Sequence, residues 1–304
     1  MSSPEPSAAS ALPFGRLTTA MVTPFQPDGS LDLAAAQKVA AHLVDGGNDA
    51  LILNGTTGEA PTTSDQEKAD IIRAVREAVG DRAKLVAGVG TNDTVHTIEL
   101  ARQAEAAGAD GLLVVTPYYN KPPQEGLRRH FTQVADATGL PNMLYDIPGR
   151  SAVAIKSETL IALAEHPRIV AVKDAKGDIA GTTKVLANTD LFYYCGADEL
   201  NLAMLAIGAV GIASVVAHVA SREYRQLIDA VVAGDLATAQ QIDRRLVPAV
   251  EAIMTRTQGA IMVKAALKLA GVIEHATLRS PLVEATAEQV DWLTTDLKTA
   301  GLIA

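Results

Sequence analysis

A closed (β/α)8 TIM barrel with an appended C-terminal helical layer is the fold class this sequence predicts, and three observations predict it. Short apolar runs alternate with longer stretches of helical periodicity. Eight such runs occur before the alternation stops. Their starts lie roughly 20 to 35 residues apart, the size of a βα unit, and eight units suffice to close a parallel sheet on itself.

In chain order the runs cover approximately 16–23, 50–54, 84–90, 111–116, 142–147, 169–174, 192–196 and 211–216. Several are almost wholly apolar, as in Leu112-Leu113-Val114-Val115, which suits parallel strands covered on both faces. The stretches between them carry helix signals. Ser64 with Glu67 forms a capping box, Ile71, Ile72, Val75 and Val79 follow at helical spacing, and Gly80 stands where a left-handed end belongs. Asp93 opens a helix that Gly108 closes, and Ser157 heads another over Leu160, Ile161 and Leu163. Beyond about Ser221 only helical periodicity remains, over 221–233, 236–255, 259–270 and 286–299. The expected organisation is a disordered leader over 1–15, a barrel carrying the active site over 16–220 and a helical extension over 221–304. An open doubly wound sheet would call for Gly-x-Gly-x-x-Gly after the first strand. Its nearest approach, Gly88-Val89-Gly90, lacks the third glycine.

Composition narrows the function. The net charge of -9 speaks against a general nucleic-acid binder, and no run reaches the roughly 18 apolar residues of a membrane span. Residues 1–15 have neither a basic start nor an apolar core, so they do not read as a secretory signal. The single cysteine, Cys195, cannot form an intramolecular disulfide, which fits a reducing, cytoplasmic setting. The six histidines show no pair at ligand spacing, so no metal is expected.

Barrel enzymes take their reactive groups from the carboxyl ends of the strands. The sixth run, Ile169-Val170-Ala171-Val172, delivers Lys173 to such an end. Burial there favours the neutral amine, a nucleophile. The competing reading is a structural pair with Asp174, which burial would make expensive. After the second run comes Gly55-Thr56-Thr57-Gly58-Glu59, where glycines allow a tight turn with exposed amides suited to a small carboxylate. Alone, it reads equally as an ordinary βα turn. Aromatic residues make up only 4% of the chain, yet Tyr118, Tyr119 and Tyr145 gather at strand ends. They can relay protons, or simply pack as anchors. Arg150 follows Pro148-Gly149 at the fifth strand end, where it could clamp a carboxylate or serve a surface ion pair.

Together, Gly55-Thr56-Thr57-Gly58-Glu59, Thr116-Pro117-Tyr118-Tyr119-Asn120, Tyr145-Asp146-Ile147-Pro148-Gly149-Arg150 and Val172-Lys173-Asp174-Ala175 resemble the dihydrodipicolinate synthase and N-acetylneuraminate lyase superfamily of class I aldolase-type barrels. The resemblance runs from about Arg16 to the C-terminus. Arg150 and the paired threonines place it nearest the synthase branch. That resemblance implies a Schiff base between Lys173 and pyruvate, addition of the resulting enamine to L-aspartate 4-semialdehyde, and cyclisation to 4-hydroxy-tetrahydrodipicolinate, the first committed step of the diaminopimelate and lysine pathway. It further implies a proton relay of Tyr145, Thr56 and Tyr119, the last offered across a subunit interface. Thr57 would hold the pyruvate carboxylate, Arg150 the semialdehyde carboxylate, and the backbone at Gly196 and Ala213 would close the pocket. A homotetramer built as a dimer of dimers is implied, with no metal or organic cofactor. Where lysine-inhibited members carry a serine, histidines and a glutamate, this chain has Ala60, Asp65, Lys68 and His96, although Asn92 and Tyr118 match. Weak or absent lysine feedback is therefore expected. The alternatives are a sister pyruvate aldolase or dehydratase acting on a sugar acid, and a non-catalytic barrel that binds a keto acid.

Overall fold

The computed structural model describes residues 12–303. Eight parallel strands, β1 (Leu17–Ala20), β2 (Ala50–Leu53), β3 (Lys84–Gly88), β4 (Gly111–Val115), β5 (Asn142–Asp146), β6 (Ile169–Asp174), β7 (Phe192–Cys195) and β8 (Gly211–Ser214), pair in chain order. β8 returns to β1 and closes the barrel. All eight expected runs are strands. Outside them lie α1 (Leu33–Asp45), α2 (Asp65–Val79), α3 (Thr94–Ala106), α4 (Gln124–Asp136), the short α5 (Pro148–Ser151), α6 (Ser157–Leu163), α7 (Ile179–Leu186), α8 (Asn201–Ala206) and α9 (Ala217–Val232). The extension comprises α10 (Leu236–Val250), a π-helical turn over Glu251–Thr255, α11 (Gly259–Leu269) and α12 (Ala287–Thr299).

Local chemistry explains most helix starts. The Ser64–Glu67 capping box opens α2, and Asp93 caps α3 by accepting from the Val95 amide. Ser157 does not cap α6; it is the first helical residue, preceded by Lys156, and its hydroxyl donates to the Gly181 carbonyl at 3.4 Å. A division at residue 220 would fall inside α9, at a kink where Ala220 has φ −129° and ψ 27°. The helix nevertheless packs on β1 and α1, so it completes the outer ring.

Strand alternation sorts the core into two layers. Leu51, Leu53, Leu112, Val114, Leu144 and Val172 face the helices. Ala50, Ile52, Val86, Leu113, Met143, Tyr145, Ala171, Tyr194 and Ala213 fill the barrel. Phe14 belongs to this inner layer, fully buried and tilted against Tyr194 at 6.3 Å between centroids, while the Tyr194 hydroxyl donates to the Gly15 carbonyl at 2.9 Å. Residues 12–15 thus plug the amino end of the barrel. The part of the expected leader over 1–11 lies outside the described residues. No helix among the described residues is long and apolar enough to cross a membrane.

Candidate active site

The register of β6 decides where Lys173 points. Lys173 pairs with Tyr145 of β5 on one side and Tyr194 of β7 on the other, and all three face the barrel interior. Asp174, one residue on, faces outward, where it accepts from the Lys176 and Gly177 amides and from the Thr182 hydroxyl. A structural pair between Lys173 and Asp174 is therefore excluded by the pleat. The Lys173 ammonium lies 4.6 Å from the Tyr145 ring centroid, and the residue is 3% exposed.

A cavity of about 80 Å³ opens above this lysine. Thr56, Thr57, Tyr145, Arg150, Lys173 and Gly196 all line it. So six of the eight expected site residues converge on one space from β2, β5, β6 and β7. Ala213 sits fully buried in the interior layer of β8, and Val215, two residues on, reaches the cavity wall. Tyr119 stands at the rim of the wider adjoining cleft of about 1060 Å³. It is 88% exposed and held at φ 72°, a left-handed backbone uncommon for a tyrosine.

Burial sets the acid–base character of the site. It pulls the Lys173 amine down to about 8, against the opposing charge of Asp198. It pushes the Tyr145 phenol up to about 12, with the Arg150 charge and the Thr56 hydroxyl working the other way. A lysine near neutrality thus faces a phenol that keeps its proton. Burial also pushes up the Cys195 thiol, which donates to the Ala197 carbonyl at 3.1 Å and is packed, not reactive. Arg150 is exposed and forms no ion pair among the described residues, leaving its guanidinium free for an anion at the rim. Among the described residues no group of three or more His, Cys, Asp or Glu side chains converges as a metal site would.

Two contributions are not legible in the strand-end pattern. Met254, Gln258, Gly259 and Ala260, from the π turn and the start of α11, form the far wall of the cavity. π-helical turns often occur at functional sites. Asp198, buried behind Lys173, accepts from the Ser214 hydroxyl and from the Val215 and Val216 amides, and so ties the loop after β7 to the loop after β8. An acidic residue two positions past the seventh strand's glycine was its only sequence signal.

Gly196 has a steric role. A Cβ there would lie 2.8 Å from Lys173 Cγ and 2.9 Å from Cε, so a side chain would displace the lysine. Gly196→Ala should slow adduct formation with pyruvate by about 10-fold or more, since sub-ångström misplacement of a reacting group is costly. Single-turnover trapping measures this; an unchanged rate would contradict it.

The known proteins agree with this geometry. The Dihydrodipicolinate synthetase family model matches residues 13–300. The chain is 62% identical to 4-hydroxy-tetrahydrodipicolinate synthase of Kineococcus radiotolerans over 98% of this chain and 97% of the relative. It is 60% identical to 4-hydroxy-tetrahydrodipicolinate synthase 2 of Streptomyces coelicolor, over 98% and 99% respectively. The crystal structure of the enzyme from Cyanidioschyzon merolae with lysine bound superimposes with a TM-score of 0.92 at 39% identity, covering 96% of this chain and 99% of that one. With the expected motifs gathered around one buried lysine and matches of this length, the chain belongs to the dihydrodipicolinate synthetase family.

Proposed function

We propose that this chain condenses pyruvate with L-aspartate 4-semialdehyde to give 4-hydroxy-tetrahydrodipicolinate, through a Schiff base on Lys173. The observation that carries the reading is the buried Lys173 amine, pulled down to about 8 and facing the Tyr145 phenol at the cavity floor. The neutral amine attacks the keto carbon of pyruvate, and loss of water leaves the iminium. Loss of a methyl proton gives the enamine, whose carbon adds to the aldehyde. The amino group of the semialdehyde then attacks the iminium carbon and displaces Lys173, closing the ring with a net release of one water.

Each remaining residue has a place in this scheme. Tyr145 passes protons to and from the departing oxygens, with Thr56 beside it and Tyr119 at the rim. Thr57, buried in the turn after β2, offers its amide and hydroxyl to the pyruvate carboxylate. Arg150 takes the carboxylate of the second substrate, and the backbone near Gly196 and Ala213 bounds the pocket. The chemistry uses the chain's own groups and needs no separate cofactor. The exposure of the Tyr119 ring supports a subunit partner over that rim, and hence an oligomer, read as a dimer of dimers. The single buried cysteine supports a reducing cytoplasmic setting.

The choice of second substrate rests on Arg150. Arg150→Ala should raise the KM for the semialdehyde by about 10²-fold, the scale of a lost charge-assisted carboxylate contact, and leave the half-saturation for pyruvate nearly unchanged. Steady-state assays with each substrate varied, run beside sugar-derived aldehydes, check this. Preferred turnover of the sugar aldehydes would favour the sister activity instead.

Lysine feedback is proposed to be weak. In the wide cleft the Asp65 carboxylate is already engaged by His96 at 2.9 Å and lies 3.9 Å from the Lys68 ammonium. Lys68 also donates to the Thr63 carbonyl. A cationic effector would meet a resident cation and a spent carboxylate. Rates titrated with L-lysine should stay flat into the millimolar range; half-inhibition at micromolar lysine would contradict this.

A further inference from the structure

The turn that holds the two threonines is anchored from a distant part of the chain. Glu59, which ends the Gly55–Glu59 turn, is 2% exposed and adopts a left-handed φ of 54°. That conformation is unfavourable for a non-glycine residue and persists only when its surroundings enforce it. The enforcing contacts come from the extension. Lys264 of α11, fully buried, donates to Glu59 Oε1 at 2.5 Å and to the Thr277 carbonyl at 2.7 Å. The Arg279 amide donates to Glu59 Oε2 at 2.9 Å. Both cations stack on the buried Phe25 ring, each 4.4 Å from its centroid. The Arg279 guanidinium also grips the next segment, donating to the Thr62 carbonyl at 2.8 Å and to Glu67 at 2.6 Å. From the other side the Thr23 hydroxyl donates to the Gly58 carbonyl at 2.7 Å.

We propose that the buried Lys264–Glu59 pair is a positioning latch, through which the helical extension holds the Gly55–Glu59 turn in the shape that binds the pyruvate carboxylate. This rests on the reading that Thr57 in that turn takes the carboxylate. The same α11 that supplies Lys264 also supplies Gly259 and Ala260 to the cavity wall. One helix therefore sets both the wall opposite Lys173 and the turn beside it. Lys264 touches no substrate; it acts through Glu59. For fold stability alone such a pair is dispensable, because a buried ion pair replaced by neutral groups of similar volume is often neutral or stabilising. A latch function predicts something different, namely a selective loss of pyruvate affinity in a protein that still folds.

The test is the double variant Glu59→Gln/Lys264→Met, which leaves no uncompensated buried charge. Two quantities are measured in it and in the wild type: the pyruvate concentration for half-maximal borohydride-trapped adduct on Lys173, and kcat with both substrates saturating. The expected result is a half-saturation raised by about 10-fold or more, a smaller fall in kcat through Thr56 of the same turn, and an unchanged KM for the semialdehyde. A folded double variant that traps pyruvate at the wild-type concentration, or loses kcat alone, overturns the latch. Should that variant not fold, Glu59→Gln alone, which keeps the side chain's length and leaves Lys264 its bond to the Thr277 carbonyl, decides by the same readout. A rise of a few-fold supports the latch and no rise overturns it. Absence of adduct in the wild type would strike the Schiff-base reading itself, whereas adduct in the wild type with an unshifted variant strikes the latch alone.

Discussion

Lys173→Met should abolish turnover, by about 10⁴-fold or more, and at the same time make the protein more stable. The first effect follows from losing the one amine that, among the described residues, lines the cavity floor and can form an iminium. The second follows from the cost of keeping that group buried. Its amine falls from an ordinary value of 10.5 to about 8 because burial penalises the charged form, and each unit is worth about 1.4 kcal/mol, so the native state carries roughly 3 kcal/mol of strain at neutral pH. The sign is set by which state holds the proton. Below about 8 both states are protonated and the penalty is present in full; between about 8 and 10.5 only the unfolded chain keeps its proton, and native stability recovers. Methionine fills a similar volume without charge. Thermal melts should show a higher Tm for the variant at neutral pH, with the gain shrinking as pH climbs past 8. A lower Tm would mean that the lysine is a stabilising group. The same titration predicts that wild-type adduct formation accelerates with pH up to about 8 and then levels off.

Tyr145→Phe should lower kcat by about 10²-fold, in the range of general acid–base contributions, while leaving the fold intact. The phenol is held up at about 12, so at neutral pH it enters the reaction as a proton donor that can be restored after each transfer. Phenylalanine keeps the ring that packs in the barrel interior and lies 4.6 Å from the Lys173 ammonium. Only the hydroxyl is lost. Adduct on Lys173 should still accumulate with pyruvate, more slowly, because the amine remains. Stopped turnover with normal melting and slow trapping would fit a relay; near-normal turnover would remove Tyr145 from it.

The barrel was legible because parallel strands buried on both faces write themselves as continuous apolar runs, and Lys173 stood out as a charge closing one of them. The neighbours were legible for the same reason: Thr57, Tyr145 and Arg150 all lie at or just past the ends of such runs. What the pattern concealed depends on contacts made across long separations. Phe14 lies in a stretch with no periodicity, and its burial under Tyr194 follows only once the barrel exists to be plugged. Lys264 sits in an ordinary helical repeat, and its partner Glu59 is 205 residues away. Gln258 and Gly259 reach the cavity because the extension folds back over the carboxyl ends of the strands. The expected boundary near residue 220 falls within α9 (Ala217–Val232). The kink at Ala220 marks a change of helix direction inside α9.

Borohydride reduction of the protein with pyruvate, followed by digestion and mass mapping, tests the Schiff base most directly. The prediction is one reduced pyruvate adduct per chain, on the peptide carrying Lys173, absent in Lys173→Met. No adduct, or an adduct on Lys176, Lys68 or another lysine, would contradict it.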